Sequence, residues 1–182
     1  MSFENIESFI EKFPVYQYAF IKPDDVEYSE KVRQLCKRAC THYGTSWSCP
    51  PAIGKLEKCE EKCLRYTDIL VFSTVTELQG GTAQEMETAQ KEHEKLTNII
   101  CSHMFKEGYI TYVLSSSWCK TCQKCTFPKD FCRHPEEMYP CIESHGIMIA
   151  DLMEKCGMDH YLGGKLYLLF SLVYFKEADT SE

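Results

Sequence analysis

Three cysteines separated by two residues each, Cys119, Cys122 and Cys125, form the stretch of this sequence with the clearest chemistry. Thiolates are soft metal ligands, and three of them on one tight loop can bind three irons of a cubane iron–sulfur cluster. Cys132 follows after six further residues as a candidate fourth ligand, and Cys141 is a second candidate. The spacing therefore predicts a metal cluster, but it does not indicate what the cluster does.

The spacing of these cysteines also bears on the identity of the metal. We call Cys119, Cys122, Cys125 and Cys132 the second set. Its two-residue gaps resemble the cysteine run of bacterial ferredoxins, which presents three thiolates to one four-iron cube. Zinc usually takes two pairs of ligands that are well separated in sequence, rather than three cysteines in a row. We therefore predict an iron–sulfur cluster here, with zinc as the alternative.

A first set of cysteines, Cys36, Cys40 and Cys49, precedes this stretch in the chain. Cys36 and Cys40 are four residues apart on a predicted helix and share one face, although such pairs are often simply buried. Cys49 is followed by proline, like a ferredoxin cysteine. Cys59 or Cys63 could supply a fourth ligand. If neither does, one iron stays open to water or substrate and could act as a Lewis acid, whereas a fully ligated cluster passes electrons.

Composition and charge limit the cellular setting of the protein. The N-terminal segment is acidic where a secretory signal would be basic, and no apolar run reaches the roughly 18 residues of a membrane span. We therefore expect a cytoplasmic protein, not associated with a membrane, whose twelve cysteines bind metal rather than form disulfides. The formal net charge of -7 argues against nucleic acid and favours a basic protein partner.

Hydrophobic periodicity predicts the elements that must position the cysteines. Helices are predicted over residues 3–12, 29–40, 55–66, 82–106 and 144–156, and strands over 15–21, 69–75, 110–114 and 166–175. This alternation indicates an α/β or α+β fold, with a small four-stranded mixed sheet covered by helices. We expect a single domain, 1–182, with cysteine-rich insertions near 36–63 and 118–141. The two sets can lie close together only if the strands are antiparallel or an insertion folds back.

Several other side chains are candidates for supporting roles. Trp47 and Trp118 each lie close to a cysteine in sequence and could shield a cluster from water. Arg133 follows Cys132 and could offset negative charge of a cluster. His93 and His103 fall on the apolar stripe of the predicted helix 82–106, which favours core histidines over metal ligands.

The two cysteine motifs resemble a family of small prokaryotic proteins described only as predicted metal-binding proteins and found mainly in anaerobes. The motifs read Cys36-x3-Cys40-Thr41-His42-Tyr43-Gly44-x2-Trp47-Ser48-Cys49-Pro50-Pro51 and Cys119-x2-Cys122-x2-Cys125-x6-Cys132-Arg133-His134-Pro135-Glu136. The resemblance covers about residues 30–155. It implies a metal, in the form of iron–sulfur clusters, held by the seven cysteines of the two sets. The family pattern leaves out Cys59, Cys63, Cys101, Cys141 and Cys156.

These observations lead to one predicted function and two alternatives. We predict an iron–sulfur protein with two [4Fe-4S] clusters that passes electrons to a redox partner protein in the cytoplasm of an anaerobe. The first alternative is an enzyme that uses an open iron of one cluster on a small, sulfur-containing substrate. The second is a zinc-binding structural or adaptor module. No catalytic constellation stands out, so enzymatic activity stays an open question, and so does a homo-oligomeric state.

Overall fold

The fold is built on a four-stranded sheet, seen in a computed structural model that describes residues 3–178. The strands are β1, Gln17–Ile21; β2, Asp68–Glu77; β3, Tyr109–Ser115; and β4, Leu166–Glu177. They lie in the order β1-β2-β4-β3, and each neighbouring pair is antiparallel. The predicted fold class, a four-stranded sheet with helices, is confirmed, but the neighbouring strands are all antiparallel rather than mixed.

Helices cover both faces of this sheet. They are α1, Glu4–Ile10; α2, Glu30–Ala39; α3, Leu56–Cys63; α4, Ala83–Lys106; and α5, Ile149–Lys155. The central strands β2 and β4 are buried over most of their length. Their apolar side chains point to both faces of the sheet, and both faces are covered. One core lies under α1 and α4, and the second lies between the opposite face and the segment around α5. None of the helices in residues 3–178 combines the length and the apolar character that a membrane crossing requires.

The predicted helix 144–156 is interrupted in the structure, and this prediction was wrong at its N-terminal part. Residues Glu143–His145 form a short 3-10 turn, and α5 begins only at Ile149. Gly146 ends the turn with a φ of 74°, a conformation that side-chain-bearing residues rarely adopt. A Cβ on Gly146 would lie 2.8 Å from both the Leu56 side chain and the Ser29 backbone oxygen. The glycine therefore lets the segment after Cys141 pack closely against α2 and α3.

Of the two histidines on α4, His93 lies in the core, as predicted, whereas His103 is only partly buried. His93 is buried, and its ring nitrogens contact the hydroxyl groups of Thr74 at 2.7 Å and Ser171 at 2.9 Å. His103 stacks on the ring of Phe9, with 3.7 Å between the ring centroids. Both histidines therefore help to join α4 to the rest of the fold.

Candidate metal centre

The first set gathers around one cavity beside the end of β3. Cys36 lies in the last turns of α2, and Cys40 caps the C-terminus of that helix. Cys49 comes from the turns that follow, while Cys141 lies at the outer edge of β3, where it forms a parallel bridge with Ser115. All four cysteines line a cavity of about 360 Å³, a volume in the range of ligand pockets. Part of its wall is apolar, from Leu35, Ala39, Pro50 and Trp118.

Within this cavity, Cys49 and Cys141 form a close pair. Their Sγ atoms are 3.6 Å apart, and the Cys141 sulfur also lies 3.3 Å from the Ser117 carbonyl oxygen. The hydrogen bond from Cys141, with those from Ser46 and Ser48, lowers the pKa of Cys49 to about 6. The pKa of Cys141 is raised by the same pairing and by burial. Because metals bind the thiolate, this lowering of the pKa favours the form of Cys49 that a metal requires.

Cys36 lies in a more acidic part of the cavity. Burial and the negative charge of Glu143 raise the pKa of the Cys36 thiol to about 11. Burial also raises the pKa of the Glu143 carboxyl to about 7. A cation at this place would favour the charged form of these groups, since an opposite charge nearby offsets the cost of desolvation. A positively charged centre in the first cavity would therefore lower the pKa of both groups.

The second set lies on a loop of turns between β3 and the edge segment around residue 141. Its four cysteines line a common space of only about 20 Å³, together with Trp47 and His134. That volume corresponds to roughly one water molecule. Two side-chain hydrogen bonds close the loop. Arg133 donates to the Lys124 carbonyl oxygen at 2.7 Å, and the Thr126 hydroxyl donates to the Phe131 carbonyl oxygen at 2.8 Å. Arg133 thus holds the loop that carries the second set.

The two sets adjoin at Ser48. The Cys119 backbone N–H donates to the Ser48 hydroxyl oxygen at 3.0 Å, and that oxygen lies 3.6 Å from the Cys49 sulfur. The Ser48 carbonyl oxygen accepts a hydrogen bond of 3.1 Å from the Cys141 backbone N–H. One buried serine therefore contacts cysteines of both sets, which the antiparallel sheet and the folded-back loops bring to the same place.

Each of the two tryptophans lines the cavity of the cysteine set that belongs to the other motif. Trp47, from the first motif, lines the second cavity and donates from its ring nitrogen to the Thr126 hydroxyl at 3.2 Å. Trp118, from the second motif, lines the first cavity and stacks on His42, with 3.6 Å between the ring centroids. Each motif thus contributes a wall of the other site, a relation that the sequence spacing did not indicate.

The structure separates the remaining candidate ligands from the two cavities. Cys59 donates to the Ile53 carbonyl oxygen at 3.6 Å, and Cys63 is fully buried in the core that includes Tyr174. Among the described residues that line the two cavities, neither Cys59 nor Cys63 occurs. Cys141 was a sequence candidate for the second set, and the structure places it in the first. The residue that sequence reasoning missed for the first set is thus Cys141.

The spacing of the thiols distinguishes between kinds of metal centre. With a Zn–S bond of about 2.3 Å, two sulfurs on the same zinc ion are at most about 4.6 Å apart. Within residues 3–178, no three thiol sulfurs lie within 4.8 Å of one another, and the group that meets this spacing is His134, Glu136 and Glu137. The first cavity therefore holds one pair of thiols at single-ion spacing, Cys49 and Cys141, and its volume leaves room for a larger centre. The second set has the donor atoms for a cluster, but its space would have to widen.

The fold and the two cysteine sets define a cysteine-rich protein with thiols grouped for metal binding. Residues 19–175 match DUF2284, a family described as predicted metal-binding protein, and the chain belongs to that family. The match includes every cysteine of both sets, and the resemblance seen in the two motifs is confirmed. No curated protein and no solved structure matches the chain.

Proposed function

We propose that this protein is an electron carrier with two [4Fe-4S] clusters, one at each cysteine set, that passes electrons to a redox partner protein. The observation that carries the proposal is the contact of both sets with Ser48, which joins them through distances of 3.0 and 3.6 Å. A bound cluster of this kind would supply a centre that accepts and releases one electron. Two such centres side by side suit transfer along a chain of carriers.

The first cavity supports a cluster by its size and by its donors. Its volume of about 360 Å³ far exceeds the space of one ion, and four thiols line it. Cys36, Cys40 and Cys49 hold the cluster in this proposal. Apolar side chains next to a bound centre would lower the polarity around it, which tunes its potential.

The exposure of the cysteines supports the transfer of electrons out of the protein. The cysteines of the second set are partly exposed, and Cys40 of the first set is exposed. A partner protein could therefore approach either centre. The net charge of -7 favours a partner with a basic surface, because complementary charge speeds association. The proposal places this exchange in the reducing cytoplasm of an anaerobe, where thiols stay reduced.

The test is purification without oxygen, followed by iron, inorganic sulfide and zinc analysis. Two four-iron clusters predict about eight iron and about eight sulfide per chain. Electron paramagnetic resonance should then show signals that appear on reduction and disappear on reoxidation. A colourless protein with about one zinc per set would contradict the proposal. Clusters that cannot be reduced at physiological potentials would contradict the electron-transfer role.

A second candidate applies to the second set alone. Its space of about 20 Å³ suits a single zinc ion in volume, with Trp47 and the closed loop around it. The protein would then hold one cluster and one structural zinc, and the same analysis would give about four iron and about one zinc per chain. The sulfur spacing has to tighten for this to occur, since no three thiols in residues 3–178 meet within 4.8 Å.

A further inference from the structure

We propose that Cys141 is the fourth thiolate ligand of the first set, so that the cluster bound there has no open iron. The inference rests on the proposed function and deepens it, because it fixes the complete ligand set of one centre. It also bears on the enzymatic alternative, which needs an iron with a free position.

Cys141 lies beside the cysteines of the first set although it is distant from them in sequence. It is 92 residues from Cys49 in sequence, yet the two sulfurs are 3.6 Å apart and face the same cavity as Cys36 and Cys40. Four thiols around one cavity match in number the four cysteines that hold a four-iron cluster. In this proposal the Cys49 and Cys141 sulfurs move apart when the cluster binds, so that each reaches its own iron.

Backbone hydrogen bonds hold Cys141 and both of its neighbours in place. The Ser115 N–H donates to the Pro140 carbonyl oxygen and the Ile142 N–H donates to that of Ser115, both at 2.9 Å. The Cys141 N–H donates to the Ser48 carbonyl oxygen at 3.1 Å. Cys141 is thus fixed between the end of β3 and the loop that carries Cys49. Rigid support of this kind holds a ligand in place before the metal binds.

Cys141 also differs from the cysteines that pack in or against the hydrophobic core. Cys63 is fully buried in the hydrophobic core, and Cys156 packs against that core from its edge. Cysteine often behaves as such a small apolar residue. Cys141 differs from both, because its thiol shares a hydrogen bond with a second thiol and faces a cavity.

The experiment compares Cys141→Ala with Cys156→Ala, a matched control that removes a half-buried thiol outside both cavities. Both variants are purified without oxygen, and circular dichroism checks their fold. We expect Cys141→Ala to lose iron. The loss should be about one iron if a three-iron cluster remains, and about four irons if the whole cluster is lost. Cys156→Ala should retain the iron and sulfide of the unaltered protein.

Equal iron and sulfide in the two variants, with the same resonance spectrum, would overturn the assignment of Cys141 and leave the proposed function intact. Absence of iron and sulfide from the unaltered protein would instead remove the proposed function. The two failures are therefore distinguishable.

A second measurement uses the unaltered protein and does not depend on a variant that folds. 2-Mercaptoethanol is added to the reduced protein, and the electron paramagnetic resonance spectrum is recorded before and after. No change is expected at the first cluster, since four thiolates leave no iron free to bind the added thiol. A shifted spectrum, or a Cys49–Cys141 disulfide in protein that contains both clusters, would overturn the inference.

Discussion

The two cysteine sets differ in how much of the fold is needed to assemble them. The second set lies within one loop, between Cys119 and Cys132, around a space of about 20 Å³. The first cavity is lined by cysteines of α2, of the following turns and of the β3 edge, and it encloses about 360 Å³. A local set is specified by spacing, whereas a set gathered from distant segments depends on tertiary structure. The difference predicts that metal at the first set is linked more closely to folding.

The largest expected effect comes from Cys49→Ser compared with Cys122→Ser. A centre at the first set joins segments 92 residues apart, so its loss should cost about 4 kcal/mol of stability, or roughly 8–16 °C in thermal midpoint. Loss at the second set should cost much less, since only one loop is released. Thermal melting of the metal-loaded proteins under anaerobic conditions measures both. Equal losses in the two variants would refute the contrast.

Gly146→Ala tests the support of the first set without removing a thiol. The added Cβ meets Leu56 and Ser29 at 2.8 Å, at a φ of 74°, and we expect a loss of about 3 kcal/mol. Gly157→Ala is the control, because it has a similar φ of 65° but open space around the new Cβ, so that about 1 kcal/mol is expected. Urea denaturation measures both values. Iron should fall in Gly146→Ala and not in Gly157→Ala, and a comparable loss of stability in the two would contradict the packing argument.

The pH dependence of unfolding at His93 measures the stability of the fold away from both cysteine sets. Burial lowers the pKa of His93 to about 4, and this residue lines neither cavity in the described chain. The unfolded state binds the proton more readily, so the native state loses stability as pH falls from about 6.5 toward 4, by up to about 1.4 kcal/mol per pH unit. Urea midpoints of the metal-loaded protein between pH 7 and pH 5 measure this slope. His93→Gln should have a shallower slope, and an unchanged slope would exclude His93 as the source.

The contrast between the two sets also explains which features of the fold and the site could be predicted from the sequence. The fold class followed from alternating periodicities, and the helix predicted over 82–106 corresponds to α4, which a capping box of Thr82 and Glu85 begins. The second set could be recognised from its spacing because its cysteines lie on one loop. Cys141 was misplaced because its partner depends on a parallel bridge to Ser115, and such a bridge between short segments has no periodic signal. The helix predicted over 144–156 failed because Gly146 serves a close contact, which periodicity does not reveal.

The last prediction concerns Ser48, where the two sets meet. Ser48→Ala removes the hydroxyl that accepts from the Cys119 N–H and contacts the Cys49 sulfur. The stability cost should be only about 1 kcal/mol, as for one lost hydrogen bond. The magnetic interaction between the two reduced clusters, seen as splitting in the resonance spectrum, should weaken.

Ser46→Ala is the matched control for this experiment. Ser46 also helps to lower the pKa of Cys49, and its hydroxyl lies 2.9 Å from that of Ser48, but it does not contact the second set in the described structure. If the splitting changes in Ser48→Ala alone, the link between the sets passes through Ser48. If it changes equally in both variants, the effect reflects the electrostatics of Cys49, and the two centres communicate by another route.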